Sequence, residues 1–359
     1  MTRYLLAGGG TAGHVNPLLA TADEIRARDS DAEVLVLGTA EGLEARLVPL
    51  RGYELSVIPR LPFPRRPDAA VLRFPGALKT AIDGVVRTIR DRRIDVVVGY
   101  GGYAAAPAYL AARRARVPYV VHEANARPGL ANRLGARGTR FVGVAFEGTP
   151  LPHATVVGMP LRREIADLDR SARRDEAIAA FGLDATRPTL LVTGGSLGAR
   201  RINATVHASA AAILATGVQI LHITGDRAEI SDPGLPGYHL LPYCDRMDLA
   251  LSAADVAVSR AGAATVSELS ALGLPAVYVP YPVGNGEQRF NARGVVEAGG
   301  ALLVEDAAFL PGWVQGGLVP LLQDPARLEA MGRRAATVGV RDGSERLVDL
   351  VDSALAARR

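Results

Sequence analysis

Short β-branched runs that end on glycine or proline and then give way to Ala- and Arg-rich stretches recur along the whole chain, and no other feature constrains the fold as much. A strand, a helix-length crossover and a further strand make a βαβ unit, and such units assemble into a parallel sheet. The first set of predicted strands is Tyr4–Ala7, Glu33–Leu37, Glu54–Ile58, Asp95–Gly99, Val117–His122 and Arg140–Val144. The second is Thr189–Thr193, Gln219–Thr224, Tyr238–Leu241, Asp255–Ser259, Ala276–Val279 and Leu302–Val304. Both sets open alike, Leu5-Leu6-Ala7-Gly8-Gly9-Gly10 in one and Leu191-Val192-Thr193-Gly194-Gly195-Ser196 in the other. The expected class is α/β, with two Rossmann-like parallel-sheet domains facing a cleft. Gly158-Met159-Pro160 breaks the pattern between them, so the domains are expected at 1–160 and 161–340. Residues 341–359 read as a terminal helix with Leu347, Leu350, Val351, Ala354 and Leu355 at helical spacing, able to pack back on the first domain.

Composition narrows the class further. With 48% hydrophobic and 22% charged residues, the 359-residue chain is too apolar for intrinsic disorder. Its longest apolar runs fall short of the ~20 residues that span a bilayer. The start of the chain lacks the ~7–15 apolar residues of a secretory signal, so a cytoplasmic location is expected. A lone Cys244 excludes an intrachain disulfide framework and a Cys-based zinc cluster. Charge is uneven: residues 1–160 hold 21 basic and 14 acidic side chains, residues 161–359 hold 20 and 23. The excess gathers between Arg60 and Arg93, where nine basic residues and three acids are interleaved with Leu61, Phe63, Leu72, Phe74 and Leu78. No recognisable nucleic-acid module accompanies it, which argues against an RNA or DNA partner.

Gly8-Gly9-Gly10-Thr11-Ala12-Gly13 satisfies G-x-G-x-x-G on a strand-to-helix turn. A dinucleotide site also wants an acid at the end of the second strand, and Glu41 comes late. The glycines still let backbone amides approach an anion or a sugar, and a helix N-terminus favours negative charge. His14 follows at once; near that N-terminus its imidazole should be neutral at pH 7, as a general base requires, while a capping or packing histidine is the plain alternative. The second turn, Gly194 to Ala199, offers the same amides plus the Ser196 hydroxyl, and a diphosphate would fit there. After a later strand, Gly262 opens a helix in which Thr265 and Glu268 share a face, so Glu268 can accept two hydrogen bonds from ribose hydroxyls or merely complement the helix dipole. Glu287 and Gln288 follow a Pro280-Tyr281-Pro282 loop and can read sugar hydroxyls, or simply begin a polar helix.

Taken together, GGGTAGHVNP (8–17), GYGGY (99–103), HEAN (122–125), GMPLR (158–162), GGSLGA (194–199), Ser259–Glu268 and GEQRFNA (286–292) resemble, in order and spacing, the MurG family of GT-B glycosyltransferases. The resemblance covers nearly the whole chain. It implies an inverting transfer of N-acetylglucosamine (GlcNAc) from UDP-GlcNAc to the MurNAc 4-hydroxyl of undecaprenyl-pyrophosphoryl-MurNAc-pentapeptide (lipid I), forming lipid II of peptidoglycan, and it assigns no cofactor and no metal-ligating residue. It further implies that the first domain is the acceptor and membrane side and the second binds UDP-GlcNAc. Thr11, Ala12, Gly13 and Asn125 would face the donor; Ser196 and Arg162 would meet the diphosphate; the Cys244 backbone would read uracil. Ala263, Ala264, Thr265, Val266, Ser267 and Glu268 would bind phosphate and ribose, and Gln288 the GlcNAc hydroxyls. His14 is the expected base, with Glu287 as the fallback. Ala12, Met159 and Glu287 depart from the family's usual Gly, Asn and Gln.

A polyprenyl acceptor implies a peripheral enzyme on the cytoplasmic side of the cell membrane. Phe63, Arg65, Arg66, Leu72, Arg73 and Lys79 are the expected docking residues on an anionic surface, against the plain alternative of a solvated helix face. The remaining implied partners are other cell-wall or division proteins. A UDP-GlcNAc 2-epimerase and a catalytically silent UDP-sugar-binding subunit are the competing readings of the same layout, and dependence on an acceptor separates them.

Overall fold

The computed structural model describes residues 1–61, 69–195, 199–226, 228–283 and 286–357, without the side chains of 69–73. The chain divides into two compact units, Met1–Arg162 with Arg341–Arg359, and Arg163–Val340. The first holds β1 (Arg3–Ala7), β2 (Glu33–Gly38), β3 (Glu54–Val57), β4 (Val96–Gly99), β5 (Tyr119–Glu123), β6 (Val142–Val144) and β7 (Ala154–Val156). All pair in parallel, in the order β3-β2-β1-β4-β5-β6-β7. The second holds β8 (Thr189–Thr193), β9 (Gln219–Ile223), β10 (Tyr238–Leu241), β11 (Val256–Ser259), β12 (Ala276–Tyr278) and β13 (Ala301–Leu303), also parallel, in the order β10-β9-β8-β11-β12-β13.

Helices cover both faces of each sheet, so the central strands read as continuous apolar runs rather than alternating ones. Leu5 and Ala7 enter a cluster with Val85, Ile89, Ala108 and Tyr109, whereas Tyr4 and Leu6 enter another with Val15, Leu18 and Ile25. The terminal helix Gly343–Ala356 belongs to the second cluster: Leu347, Val348, Val351 and Ala354 are buried in it, and Leu350 and Leu355 pack against it. Its first residue lies so close to the Met159 carbonyl that a Cβ on Gly343 would fall 2.4 Å from that oxygen. In the second unit Leu190 and Val192 pack on Ile202, Val206 and Phe309.

Twelve of the thirteen strands fall within two residues of their sequence-based bounds. β7 was not anticipated, because it is three residues long and all three are exposed at the sheet edge. In each unit the strand order reverses at the centre, between β1 and β4 and between β8 and β11. There Ala7 pairs with Gly99, and Thr193 with Ser259. The chains leaving the two strands depart to opposite faces, so their carboxyl ends bound a crevice, which is where open parallel sheets bind ligands.

Candidate active site

In the first unit the loop after β1 enters the helix Ala12–Arg28, with Thr11 at its N-cap, Ala12 and Gly13 in its first turn and His14 directly after. The amides of Thr11, Ala12 and Gly13 have no partner among the described residues. The Gly8 amide, by contrast, donates to the Leu37 carbonyl and the Gly10 amide to Glu44 Oε2, 2.8 Å away. Any anion at this turn therefore finds its amides at the helix start, with the Gly10 position already taken by a carboxylate. That occupation joins the missing acid after β2 as an argument against a dinucleotide site.

His14 Nδ1 lies 3.1 Å from the Gly9 carbonyl oxygen and 3.3 Å from Thr11 Oγ1. A carbonyl only accepts, so Nδ1 carries the proton and Nε2 the lone pair. Burial depresses the His14 pKa, against the pull of Glu123, the Gly9 carbonyl and Glu44, and the ring is neutral near pH 7. The sequence-based expectation of a neutral imidazole rested on the helix N-terminus; desolvation is the main cause. Nε2 faces the loop after β4, where Gly101 has φ of +92° and a Cβ would stand 3.1 Å from that nitrogen.

Glu123, at the end of β5, is 3% exposed. Its Oε1 accepts from the Asn125 amide at 2.9 Å, and its Oε2 accepts from the Gly129 amide and Asn132 Nδ2 at 2.9 and 3.0 Å. The loop carrying Asn125 is thus wound around a buried carboxylate. Asn132 also donates to the His122 carbonyl and accepts from the Tyr109 hydroxyl. Arg162 is the last residue before the second unit and is partly exposed.

In the second unit Ser196 lies outside the described residues, and the preceding Gly195 has φ of +81°. Gly262 caps the helix Ala263–Ala271 at the end of β11. Ala263 and Val266 are buried, while Ala264, Thr265, Ser267 and Glu268 remain partly exposed, so Thr265 and Glu268 do share the open side. The Cys244 backbone, in the loop after β10, has neither its N–H nor its C=O engaged among the described residues. Burial raises the Cys244 thiol pKa, so that side chain stays protonated. Gln288 Oε1 accepts from the Tyr281 amide at 2.9 Å, which ties the side chain to the preceding loop. Glu287 precedes it in the first turn of the same short helix.

Several functional groups carry no assigned role in the sequence-based reading. Glu44 and Glu123 are buried acids satisfied mostly by backbone amides. Arg260 is 9% exposed and donates to the carbonyls of Val279 and Pro280 and to Asp306 Oδ1 at 3.0, 3.2 and 2.5 Å. It therefore ties the loop that carries Tyr281 to the end of β11. A charged residue directly after a strand was the available signal for Glu123 and Arg260; Glu44 lacked even that, being six residues beyond β2. Of the docking candidates, Phe63, Arg65 and Arg66 lie outside the described residues, and Leu72 and Arg73 lie in the helix Ala69–Asp91 with undescribed side chains. Lys79, on that helix, is 79% exposed and stands 3.8 Å from Asp83. No helix among the described residues is long and apolar enough to cross a membrane.

Two parallel-sheet units with polar residues at their switch points are the layout of the GT-B fold. The glycosyltransferase family 28 N-terminal domain matches residues 4–143, and the family's C-terminal domain matches residues 189–347. The chain belongs to glycosyltransferase family 28 and, within it, to the MurG group. It is 69% identical, over 99% of its length and 100% of the relative's, to the UDP-N-acetylglucosamine--N-acetylmuramyl-(pentapeptide) pyrophosphoryl-undecaprenol N-acetylglucosamine transferase of Leifsonia xyli subsp. xyli. The crystal structure of Acinetobacter baumannii MurG superposes with a TM-score of 0.80 at 27% identity, covering 98% of this chain and 100% of that one. The UDP-GlcNAc 2-epimerase of Neisseria meningitidis, bound to UDP-GlcNAc, reaches 0.70 at 14% identity over 98% and 100% of the chains, a likeness of fold alone.

Two buried histidines set an acid limit on this architecture. Burial lowers the pKa of His122 to about 4 and that of His222 to about 4. His222 sits between Tyr238 and Asn203, at 2.6 and 3.1 Å, and His122 Nε2 donates to the Gly158 carbonyl. Both are neutral when folded, whereas the unfolded chain protonates them near the ordinary 6.5. Their stabilisation is complete above about pH 6.5 and is lost as pH falls towards about 4, at up to about 1.4 kcal/mol per pH unit for each histidine. Urea unfolding at about pH 7, 6 and 5 should show this decline, and His222→Gln should make it shallower. A flat profile across that range would contradict the neutral assignment.

Proposed function

We propose that the chain transfers GlcNAc from UDP-GlcNAc to the MurNAc 4-hydroxyl of lipid I, forming lipid II with inversion, at the cytoplasmic face of the cell membrane. The observation that carries this reading is the 69% identity over 99% of the chain to a transferase named for those substrates. Inversion needs one in-line attack: the acceptor oxygen bonds to the anomeric carbon as the bond to the UDP oxygen breaks, and the acceptor proton leaves for a base. His14 is that base, and its neutral ring with the lone pair on Nε2 supports the role. Thr11, Ala12, Gly13 and Asn125 face the donor from the first unit. Arg162, the last residue of the first unit, meets the diphosphate together with Ser196 of the second; in the second, Ala263 through Glu268 hold phosphate and ribose, the Cys244 backbone reads uracil, and Gln288 the GlcNAc hydroxyls. The first unit accordingly takes the acceptor, and the second holds most of the donor.

His14→Ala should lower kcat by roughly 10²–10⁴ while UDP-GlcNAc affinity changes little. Near-parental turnover would pass the base role to Glu287. Glu268→Ala removes a charged partner of ribose, a loss of about 1.5–3 kcal/mol, so calorimetry should show UDP binding at least about tenfold weaker. Affinity within twofold of the parent would remove Glu268 from the ribose. UDP release should require a lipid I analogue; release or epimer formation from UDP-GlcNAc alone would favour the epimerase reading.

The polyprenyl tail keeps the acceptor in the bilayer, so the enzyme docks there, through the basic and apolar stretch from residue 60 to 93. Each Arg or Lys near an anionic surface gains about 1 kcal/mol. Changing Arg65, Arg66, Arg73 and Lys79 to Gln, with Phe63 and Leu72 to Ser, should abolish co-sedimentation with anionic vesicles and spare turnover of a short-chain soluble acceptor. Equal loss on both acceptors would assign the stretch to folding or to acceptor headgroup binding.

A further inference from the structure

The buried carboxylate of Glu44 does not touch the proposed base, yet one peptide group joins them. Glu44 is 0% exposed. Its Oε1 accepts from the Thr39 amide and hydroxyl, both at 2.8 Å, and its Oε2 from the Gly10 amide at 2.8 Å. Glycines from three segments enclose it: a Cβ on Gly9, Gly38 or Gly42 would fall 2.2, 2.5 or 2.0 Å from its side-chain atoms. Burial opposes its charge, but the hydrogen bonds from Gly10, from its own amide and from Thr39 outweigh that and hold it ionised, below the usual carboxylate range.

The Gly10 N–H and the Gly9 C=O belong to the same peptide. In a planar trans amide they point in opposite directions, so the carboxylate takes the N–H on one side and His14 Nδ1–H meets the C=O on the other, at 3.1 Å. A peptide between two glycines lacks the side chains that would resist a flip, and Gly10 has φ of +90°. Flipping it would aim the Gly9 oxygen at the Glu44 carboxylate, a repulsive contact in a site without water contact, and would strip the imidazole of its acceptor. The charge also polarises the amide, which strengthens the Gly9 oxygen as an acceptor.

We propose that Glu44 is the positioning residue for His14: through the Gly9–Gly10 peptide it fixes the ring's orientation and keeps the proton on Nδ1, so that Nε2 presents the lone pair. The catalytic half of this assignment rests on His14 being the base; the orienting half does not. Glu44 and Glu123 are the charged groups whose fields raise the His14 pKa, and Glu44→Gln leaves Glu123 in place.

The test uses the whole enzyme. In ¹⁵N-histidine NMR the parent His14 should be the Nδ1–H tautomer, and Glu44→Gln should give a mixture with Nε2–H and a lower His14 pKa. Turnover should fall about ten- to hundredfold, the range for losing a partner that orients a functional ligand, with the UDP-GlcNAc KM within about twofold. The acid limb of kcat/KM should move to lower pH. In a His14→Ala background, Glu44→Gln should cost no more than about a further twofold, because a residue acting through His14 has nothing left to act on. An unchanged His14 spectrum, or losses that multiply in the double variant, would overturn the proposal. If Glu44→Gln does not fold, Thr39→Val removes one of the two bonds to Oε1 while leaving the charge, and should shift tautomer and turnover in the same direction by less. Parental behaviour of Thr39→Val would then overturn it. Should His14→Ala leave turnover intact while the tautomer still follows Glu44, the base reading fails and the orienting role stands.

Discussion

Both faces of each parallel sheet are covered by helices, and that burial dictates where chemistry can sit. Leu5, Leu6, Val97, Val98, Leu190 and Leu191 are all 0% exposed, and a polar side chain in their place would need a partner that the helices do not offer. Polar groups are accordingly displaced to the carboxyl ends of the strands, where loops supply amides and carbonyls. Glu123 and His222, buried polar residues of the strands, are each held by specific partners. Glu123 is the last residue of β5 and is wrapped by Asn125, Gly129 and Asn132. His222, inside β9, is held between Tyr238 and Asn203.

The buried charges share a second property, in that backbone groups satisfy them more than counter-ions do. Glu44 has only amides and one hydroxyl, Glu123 has amides and Asn132, and Arg260 has two carbonyls beside Asp306. Such a charge costs desolvation, and removing its partners would cost more, so the loop that provides them is held in one conformation. A loop built only of glycine, as after β1, has no other means of being rigid. Rigidity here is therefore carried by ionised side chains placed underneath the loops, rather than by packing of the loops themselves.

The alternation of strand and helix, the two sets and the terminal helix were readable in the sequence because burial on both faces forces long apolar runs, and Leu347, Val351 and Ala354 repeat at the helical period. β7 was not, since three exposed residues at an edge leave no hydrophobic signature. At the site, His14 and Glu268 stood out because each lies in the helix that opens after a strand and glycine turn, and Gln288 because it begins a helix after the Pro280-Tyr281-Pro282 loop. Glu44 did not: its role depends on a helix returning its carboxylate to a turn 34 residues away. No local pattern encodes that return. Within the glycine signature Gly9 leaves room for the Glu44 carboxylate, as Gly38 and Gly42 do beside it, a packing role that the pattern alone does not announce.

The same strand-to-helix turn thus performs two electrostatic tasks in one chain. After β1 the turn is backed by a negative charge, and the free amides begin only at Thr11, so the glycines proper repel an anion that the helix start would attract. In the second unit the described residues around the corresponding turn are of the other sign: Arg201 at the start of the following helix stands 3.7 Å from Asp306, which Arg260 already neutralises. A doubly charged leaving group is favoured beside the second turn and disfavoured beside the glycines of the first. On the proposed reaction, that difference assigns the diphosphate chiefly to the second unit and leaves the first free to hold a neutral base, whose lone pair a nearby cation would otherwise compromise. On that reading, two copies of one architecture would divide leaving group and base through the charges placed beside each turn.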